Sequence, residues 1–184
     1  MKEKKQRLFF ALAINKAAPD YPRLCQLVHQ WDQFGRAVPY DNLHITLAFI
    51  GPASIYHAEK LALAATKLNP PAAFTLTLTT LGYWKRSKIL WLGCPAPPRA
   101  LLTLAHQLST LTQQCGFAQS AHRFLPHITL AKSIVRRPAF LPDQQLRFHF
   151  DHFGLYISKP VNHHGQSGVY YHSLRQWPLG PSHQ

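Results

Sequence analysis

His44-Ile45-Thr46-Leu47 and Pro126-His127-Ile128-Thr129-Leu130 are two copies of one pattern, and their reading decides the fold. The histidines lie 83 positions apart in a chain of 184 residues. The β-branched content of each copy predicts a strand, in which residues i and i+2 share a face. Each copy then presents an imidazole beside a hydroxyl, while Ile45, Leu47, Ile128 and Leu130 turn to the core. Two such strands facing one another would gather two imidazoles and two hydroxyls around a small space. That set suits acid/base chemistry on a group with several oxygens, and phosphate is the obvious one.

Outward from these copies, the chain repeats an order. Arg7–Ile14 reads as a strand and Tyr21–Phe34 as an amphipathic helix with Leu24, Leu27, Val28 and Trp31 on one face, stopped by Gly35. The first histidine strand, Leu43–Ile50, ends at Gly51-Pro52, and Ser54 can cap a helix running to about Leu68, closed by Asn69-Pro70-Pro71. Phe74–Leu81 alternates apolar residues with threonines and predicts one half-buried strand. Ile89–Leu92 is the next strand, reached through the basic turn Lys85-Arg86-Ser87-Lys88. Pro97-Pro98 opens a helix over Arg99–Cys115, ended by Gly116. Strand, helix and histidine strand thus recur as Ile89, Arg99 and His127, which points to an internal duplication. A proline-bearing loop over Arg136–Pro142, a long alternating strand over Leu146–Ile157 and a last strand over Val169–Leu174 follow. The expected fold class is α+β: one domain over residues 1–184, made of two sheet-and-helix lobes of duplicated organisation with a central cleft lined by the two histidine strands.

The composition bounds the chemistry. Hydrophobic residues make up 46% of the chain, enough for a buried core. The charged opening Met1–Arg7 and short apolar run Leu8–Ile14 lack a small-residue cleavage site, and no apolar run approaches the ~20 residues that cross a bilayer. The expectation is a soluble, cytoplasmic protein without membrane association. Cys25, Cys94 and Cys115 are odd in number and far apart, which indicates neither a disulfide framework nor a zinc site. Twenty Lys and Arg stand against seven Asp and Glu, a net charge of +13. That balance predicts attraction to polyanions, RNA or DNA above membrane, with solubility alone as the other reading. Glu3, Asp20, Asp32, Asp41, Glu59, Asp143 and Asp151 are scattered singly, so a carboxylate-held two-metal site is not expected.

With these flanks the chain resembles the two-histidine (2H) phosphoesterase superfamily, and within it the bacterial RNA 2',3'-cyclic phosphodiesterases, also called 2'-5' RNA ligase-like proteins. The resemblance rests on Arg7-Leu8-Phe9-Phe10-Ala11, on Val38-Pro39 through Asn42-Leu43-His44-Ile45-Thr46-Leu47-Ala48-Phe49-Ile50-Gly51, and on Phe124-Leu125-Pro126-His127-Ile128-Thr129-Leu130-Ala131. It implies a bilobal fold with pseudo-twofold symmetry, no metal or other cofactor, and opening of an RNA 2',3'-cyclic phosphate to a 2'-phosphate. In some members it also implies a slow reversible ligation that forms a 2'-5' linkage. By position, His44 matches the family's proton donor and His127 its proton acceptor, with Thr46 and Thr129 on phosphate oxygens. Lys132 stands where the family often has arginine; it keeps the charge and loses the planar bidentate fork. The implied partner is RNA bearing a 2',3'-cyclic phosphate terminus, tRNA fragments among the candidates, bound by a monomer. A cyclic phosphodiesterase for a small nucleotide and a non-catalytic RNA-binding module are the alternatives.

Other features carry weaker expectations. Phe9, Trp84, Trp91 and Tyr156 are candidates to stack a terminal base, with core packing as the ordinary role of aromatics. Lys85-Arg86-Ser87-Lys88 and Arg136-Arg137 are solvated turns or RNA phosphate contacts. His122-Arg123 lies within reach of the second motif. His149-Phe150-Asp151-His152 would put its histidines on opposite faces of one strand, and His163-His164 belongs to a loop.

Overall fold

The computed structural model describes residues 5–119, 123–135, 144–163 and 166–181. Its strands are β1 (Gln6–Ala13), β2 (Arg36–Ala37), β3 (His44–Ala53), β4 (Phe74–Leu78), β5 (Thr80–Trp84), β6 (Ile89–Gly93), β7 (His127–Lys132), β8 (Leu146–Phe150), β9 (His152–His163) and β10 (Gln166–Pro178). Three α-helices, α1 (Tyr21–Gln30), α2 (Ile55–Thr66) and α3 (Arg99–Gln114), complete an α+β architecture. Seven strands form an antiparallel sheet in the order β10-β9-β1-β3-β7-β6-β5, with β2 as an eighth beside β7; β4 and β8 form a second, two-stranded sheet.

The order of the large sheet reads alike from its middle outward: β3 then β1 on one side, β7 then β6 on the other, with α1 preceding β3 and α3 preceding β7. β3 and β7 meet antiparallel at Ile45 and Ile128, the same position of the two motif copies. The duplicated halves are therefore joined through one continuous sheet. Leu8, Phe10 and Leu12 of β1, with Ile45, Leu47, Ile128 and Leu130, enter the main core, as strand alternation requires. Phe9 and Ala11 turn the other way and form a second small cluster with Tyr156, against which Tyr171 packs.

Five elements depart from the sequence reading. The helix expected over Tyr21–Phe34 ends at Gln30 and tightens into a 3₁₀ turn over Asp32–Phe34, with the Phe34 amide bonded to the Trp31 carbonyl. Gly35 is extended, and its use is close approach: a Cβ there would lie 2.7 Å from the Lys132 carbonyl oxygen. β3 runs through Gly51-Pro52 because bulges in its pairing with β1 absorb extra residues, Gly51 takes a φ of +88°, and the β7 pairing at Ile45 does not reach Pro52.

The strand expected over Phe74–Leu81 is two strands in different sheets, β4 against β8 and β5 against β6. The long strand expected over Leu146–Ile157 likewise divides into β8 and β9. At both places the buried positions change parity, from Leu78 to Leu81 and from Phe150 to Phe153, so the chain cannot keep one face inward and crosses between sheets. The last strand extends well beyond Val169–Leu174, pairing with β9 from Gln166 to Pro178. Ser54 caps α2 as expected, accepting from the His57 amide at 3.4 Å. The Arg136–Pro142 loop lies outside the described residues.

β5 and β6 hold Trp91 in a glycine slot. Gly82 is its cross-strand partner, and a Cβ at Gly82 would fall 2.0 Å from Trp91 Cζ2, while one at Gly93 would fall 2.6 Å from Cζ3. Gly82→Ala should therefore displace the indole and lower stability by about 1–3 kcal/mol, the usual cost of overpacking. A urea denaturation midpoint equal to that of the unaltered protein would contradict this packing.

Candidate active site

The antiparallel register around Ile45 and Ile128 sets His44 and Thr129 to one side of that pair and Thr46 and His127 to the other. All four are half-buried, while the residues alternating with them are in the core. The two imidazoles are held in the same way. His44 Nδ1 lies 2.6 Å from the Asn42 carbonyl oxygen, and His127 Nδ1 lies 2.8 Å from that of Leu125. A carbonyl only accepts, so in each ring Nδ1 carries the proton and the neutral ring keeps Nε2 as the free base. His44 Nε2 is 3.0 Å from Thr46 Oγ1, whose hydroxyl donates to it while the ring is neutral.

Burial makes both rings hard to charge. It pulls the His44 pKa down to about 4, opposed by the Asn42 carbonyl and assisted by the positive charges of Lys132 and His127. His127 is lowered by burial and partly restored by its bond to Leu125. Lys132 is lowered too, first by burial and then by Arg36 and Arg7. Arg36 is its cross-strand partner on β2. The ion pairs among the described residues are Lys16–Asp41, Arg23–Asp20 and His152–Asp151, so these three cations face the site without a carboxylate bonded to them. The arrangement suits an anion with several oxygens.

Aromatic rings wall both histidines. Phe9 is 5.1 Å and Tyr171 5.0 Å from the His44 ring, with Tyr156 stacked on Phe9 at 5.7 Å. Trp84 meets the His127 ring edge-on at 4.7 Å, and Trp91 lies 6.3 Å away. All four aromatic candidates from the sequence thus gather around the two histidines. Beside His127 and Thr46 lies a hollow of about 760 Å³ that runs to α3 and includes Arg123. Another of about 590 Å³ lies beside Asn42, Lys132 and Tyr171.

Sequence reasoning missed Asn42 as a functional side chain. Although polar, it is 3% exposed, and its amide donates to the Val169 carbonyl at 2.6 Å while its oxygen accepts from the Tyr171 amide at 3.0 Å. One residue thereby ties β10 to the carbonyl that orients His44. Its partners are more than a hundred residues away, and no local pattern signals them.

The remaining candidates among the described residues do not join the site. His149 and His152 sit on different strands, bonded to Thr75 and Asp151. Lys85–Lys88 is an exposed turn. His122, Arg136, Arg137 and His164 lie outside the described residues, as does the side chain of His163. Among the described residues no three His, Cys, Asp or Glu side chains gather as a metal-binding group.

Comparison with known proteins adds an independent line. The family model described as the 2'-5' RNA ligase superfamily matches residues 21–159. The RNA 2',3'-cyclic phosphodiesterase of Escherichia coli strain K12 is 36% identical over 177 residues, covering 95% of this chain and 97% of the relative. Among solved structures, the crystal structure of E. coli LigT complexed with 3'-AMP is 35% identical and superposes with a TM-score of 0.80, covering 95% of this chain and 98% of that one. LigT in apo form gives a TM-score of 0.82 at 34% identity, over 96% and 98%.

The charge arrangement predicts a titration. Replacing Lys132 with methionine removes a positive charge that disfavours protonation of His44, so Lys132→Met should raise the His44 pKa from about 4. Histidine ring NMR across a pH series reads this directly; an unchanged or lower value would mean that Lys132 does not act on the ring.

Proposed function

Since the chain belongs to the 2'-5' RNA ligase superfamily, we propose that it is a phosphodiesterase that opens 2',3'-cyclic phosphate ends of RNA to 2'-phosphate ends without a metal ion. The observation that carries this reading is the pair of histidines with matching fixed tautomers, each in a strand with a threonine two residues on, beside three cations without bonded carboxylates.

In the proposed reaction His127 Nε2 takes a proton from water as the water oxygen attacks phosphorus. His44, protonated at Nε2, gives its proton to the departing 3' oxygen. The Thr46 and Thr129 hydroxyls and the Lys132 ammonium hold the non-bridging oxygens and stabilise charge in the transition state. Phe9, against His44, supplies a ring for the terminal base. The hydrogen bond at His44 supports a switching role, because the Thr46 hydroxyl that donates to the neutral ring can accept from the charged one. Both histidines and the cations come from one chain, so a monomer suffices. The three cysteines are free thiols, which fits a cytoplasmic enzyme. The net charge of +13 favours an RNA end, such as that of a tRNA fragment, over a free cyclic nucleotide.

Three outcomes are expected. His44→Ala and His127→Ala should each lower turnover roughly a hundredfold to ten-thousandfold, the range for a positioned acid or base, with circular dichroism unchanged. Phosphorus NMR should identify a 2'-phosphate product, and a strong chelator should leave the rate intact. A 3'-phosphate would assign the acid to the other ribose oxygen.

The pH profile follows from burial. An acid with a pKa near 4 must be protonated while a base with a pKa below 6.5 is neutral, so kcat/KM should be bell-shaped with its optimum below about pH 6.5. Bound phosphate carries negative charge and raises both pKa values, so the kcat optimum should lie at higher pH than that of kcat/KM. The apparent limbs belong to the coupled pair. A kcat/KM that climbs steadily to pH 8 would mean that no protonated histidine is needed.

A further inference from the structure

The two motif copies match from their histidines onward and differ in the two residues before them, Asn42-Leu43 in one and Leu125-Pro126 in the other. Each of these pairs includes the carbonyl that accepts from an imidazole Nδ1, at residue 42 or residue 125. The second copy steadies that carbonyl locally. Its peptide unit ends in Pro126, whose ring fixes φ and whose own carbonyl accepts from the Cys94 amide at 3.3 Å. Leu125 has an apolar side chain and is 39% exposed.

The first copy has no proline there, and the N–H of the same peptide unit, on Leu43, reaches the Tyr40 carbonyl only at 3.3 Å. Its support comes from the side chain of Asn42. That buried amide meets one strand with both of its ends: Nδ2 donates to the Val169 carbonyl at 2.6 Å, and Oδ1 accepts from the Tyr171 amide at 3.0 Å. A C=O and an N–H two residues apart on one edge are what a neighbouring strand would use, so Asn42 takes the place of a strand partner for β10. The ring of Tyr171 then stands edge-on to His44, 5.0 Å away. Asn42 thereby fixes both the carbonyl at Nδ1 of His44 and the aromatic wall beside the ring.

Resting on the hydrolase reading above, we infer that Asn42 is a positioning residue for the acid: by clamping β10 to the carbonyl behind His44, its side chain keeps Nε2 aimed at the departing 3' oxygen. The base, His127, relies on proline instead, so the two histidines are held by different devices and fail separately. An acid must lie within about 2.6–3.2 Å of the atom it protonates, and freedom at Nδ1 is carried across the rigid ring to Nε2. Loss of the clamp removes proton delivery to the leaving oxygen and leaves the activation of water at His127 in place.

A leaving group that needs no proton separates this role from a structural one. An alkyl thiol such as that of cysteine has a pKa of about 8.5 and departs as the thiolate. A nucleoside 2',3'-cyclic phosphorothiolate with sulfur in place of the 3' oxygen therefore bypasses the acid. Its turnover and that of the ordinary 2',3'-cyclic nucleotide are compared at saturation for the unaltered protein, Asn42→Ala and Asn42→Asp, each checked by circular dichroism. The second substitution preserves size and the acceptor for the Tyr171 amide, while its carboxylate cannot donate to Val169. In both variants kcat for the oxygen substrate should fall roughly tenfold to a hundredfold, the cost of a misplaced catalytic group, and kcat for the sulfur substrate should stay the same. An equal fall with both substrates overturns the inference and makes Asn42 part of the general scaffold. An unchanged rate with the oxygen substrate overturns it as well. In the unaltered protein the side-chain amide protons of Asn42 should be protected from exchange with solvent by NMR; rapid exchange would remove the clamp and the inference with it. Unaltered protein that leaves the cyclic nucleotide intact refutes the hydrolase reading itself, whereas a fall with both substrates refutes the positioning role alone.

Discussion

The antiparallel pairing of Ile45 with Ile128 is the constraint on which the site depends. Both side chains are fully buried, so the two strands are anchored to each other by main-chain bonds and to the core by apolar surface. A slip of one residue in either strand would send its histidine and threonine into the core and bring isoleucine and leucine out, a change opposed by every buried contact on that face. The energy that folds the sheet is therefore also the energy that aligns the four polar side chains. Each imidazole is oriented by the carbonyl two residues before it.

That alignment comes with an electrostatic cost. Two imidazoles and a lysine are partly withdrawn from water among further positive charges, and all three respond by favouring their uncharged forms. Such a site is strained toward neutrality until an anion enters. In the proposed reaction a bound phosphate would relieve Lys132 and draw a proton onto His44 in one event, so that the proposed acid would be ready when there is something to act on. Among the described residues the three ion pairs leave Lys132, Arg36 and Arg7 without a bonded carboxylate.

Strand periodicity made much of this legible. The motif strands, the helix capped by Ser54 and the repeated element order could all be read because each depends on neighbours a few residues away. The breaks at Thr79 and Asp151 were legible too, in the change of parity from Leu78 to Leu81 and from Phe150 to Phe153, but runs of alternating residues invite a single continuous strand. What could not be read was long-range. Asn42 is ordinary in sequence, and its importance comes from two backbone groups on β10 that only the sheet order brings to it. The gathering of Phe9, Tyr156 and Tyr171 likewise required β1, β9 and β10 to be neighbours.

The two halves agree in their polar groups and differ in their walls. Thr46 stands across from Ala11, whereas Thr129 stands across from Trp91 at the corresponding place. His44 is enclosed by Phe9 and Tyr171 from the β1 and β10 side, and His127 by two tryptophans from the β5 and β6 hairpin. In the proposed reaction the duplication would supply a matched acid and base, since a proton must be handled on each side of phosphorus. The proposed substrate offers no such symmetry, because one side of the phosphorus carries a ribose and the other meets a nucleophile. Keeping the histidine strands alike while letting the flanking strands diverge answers both demands, and the divergence lies in the aromatic residues, where shape and stacking distinguish one side from the other.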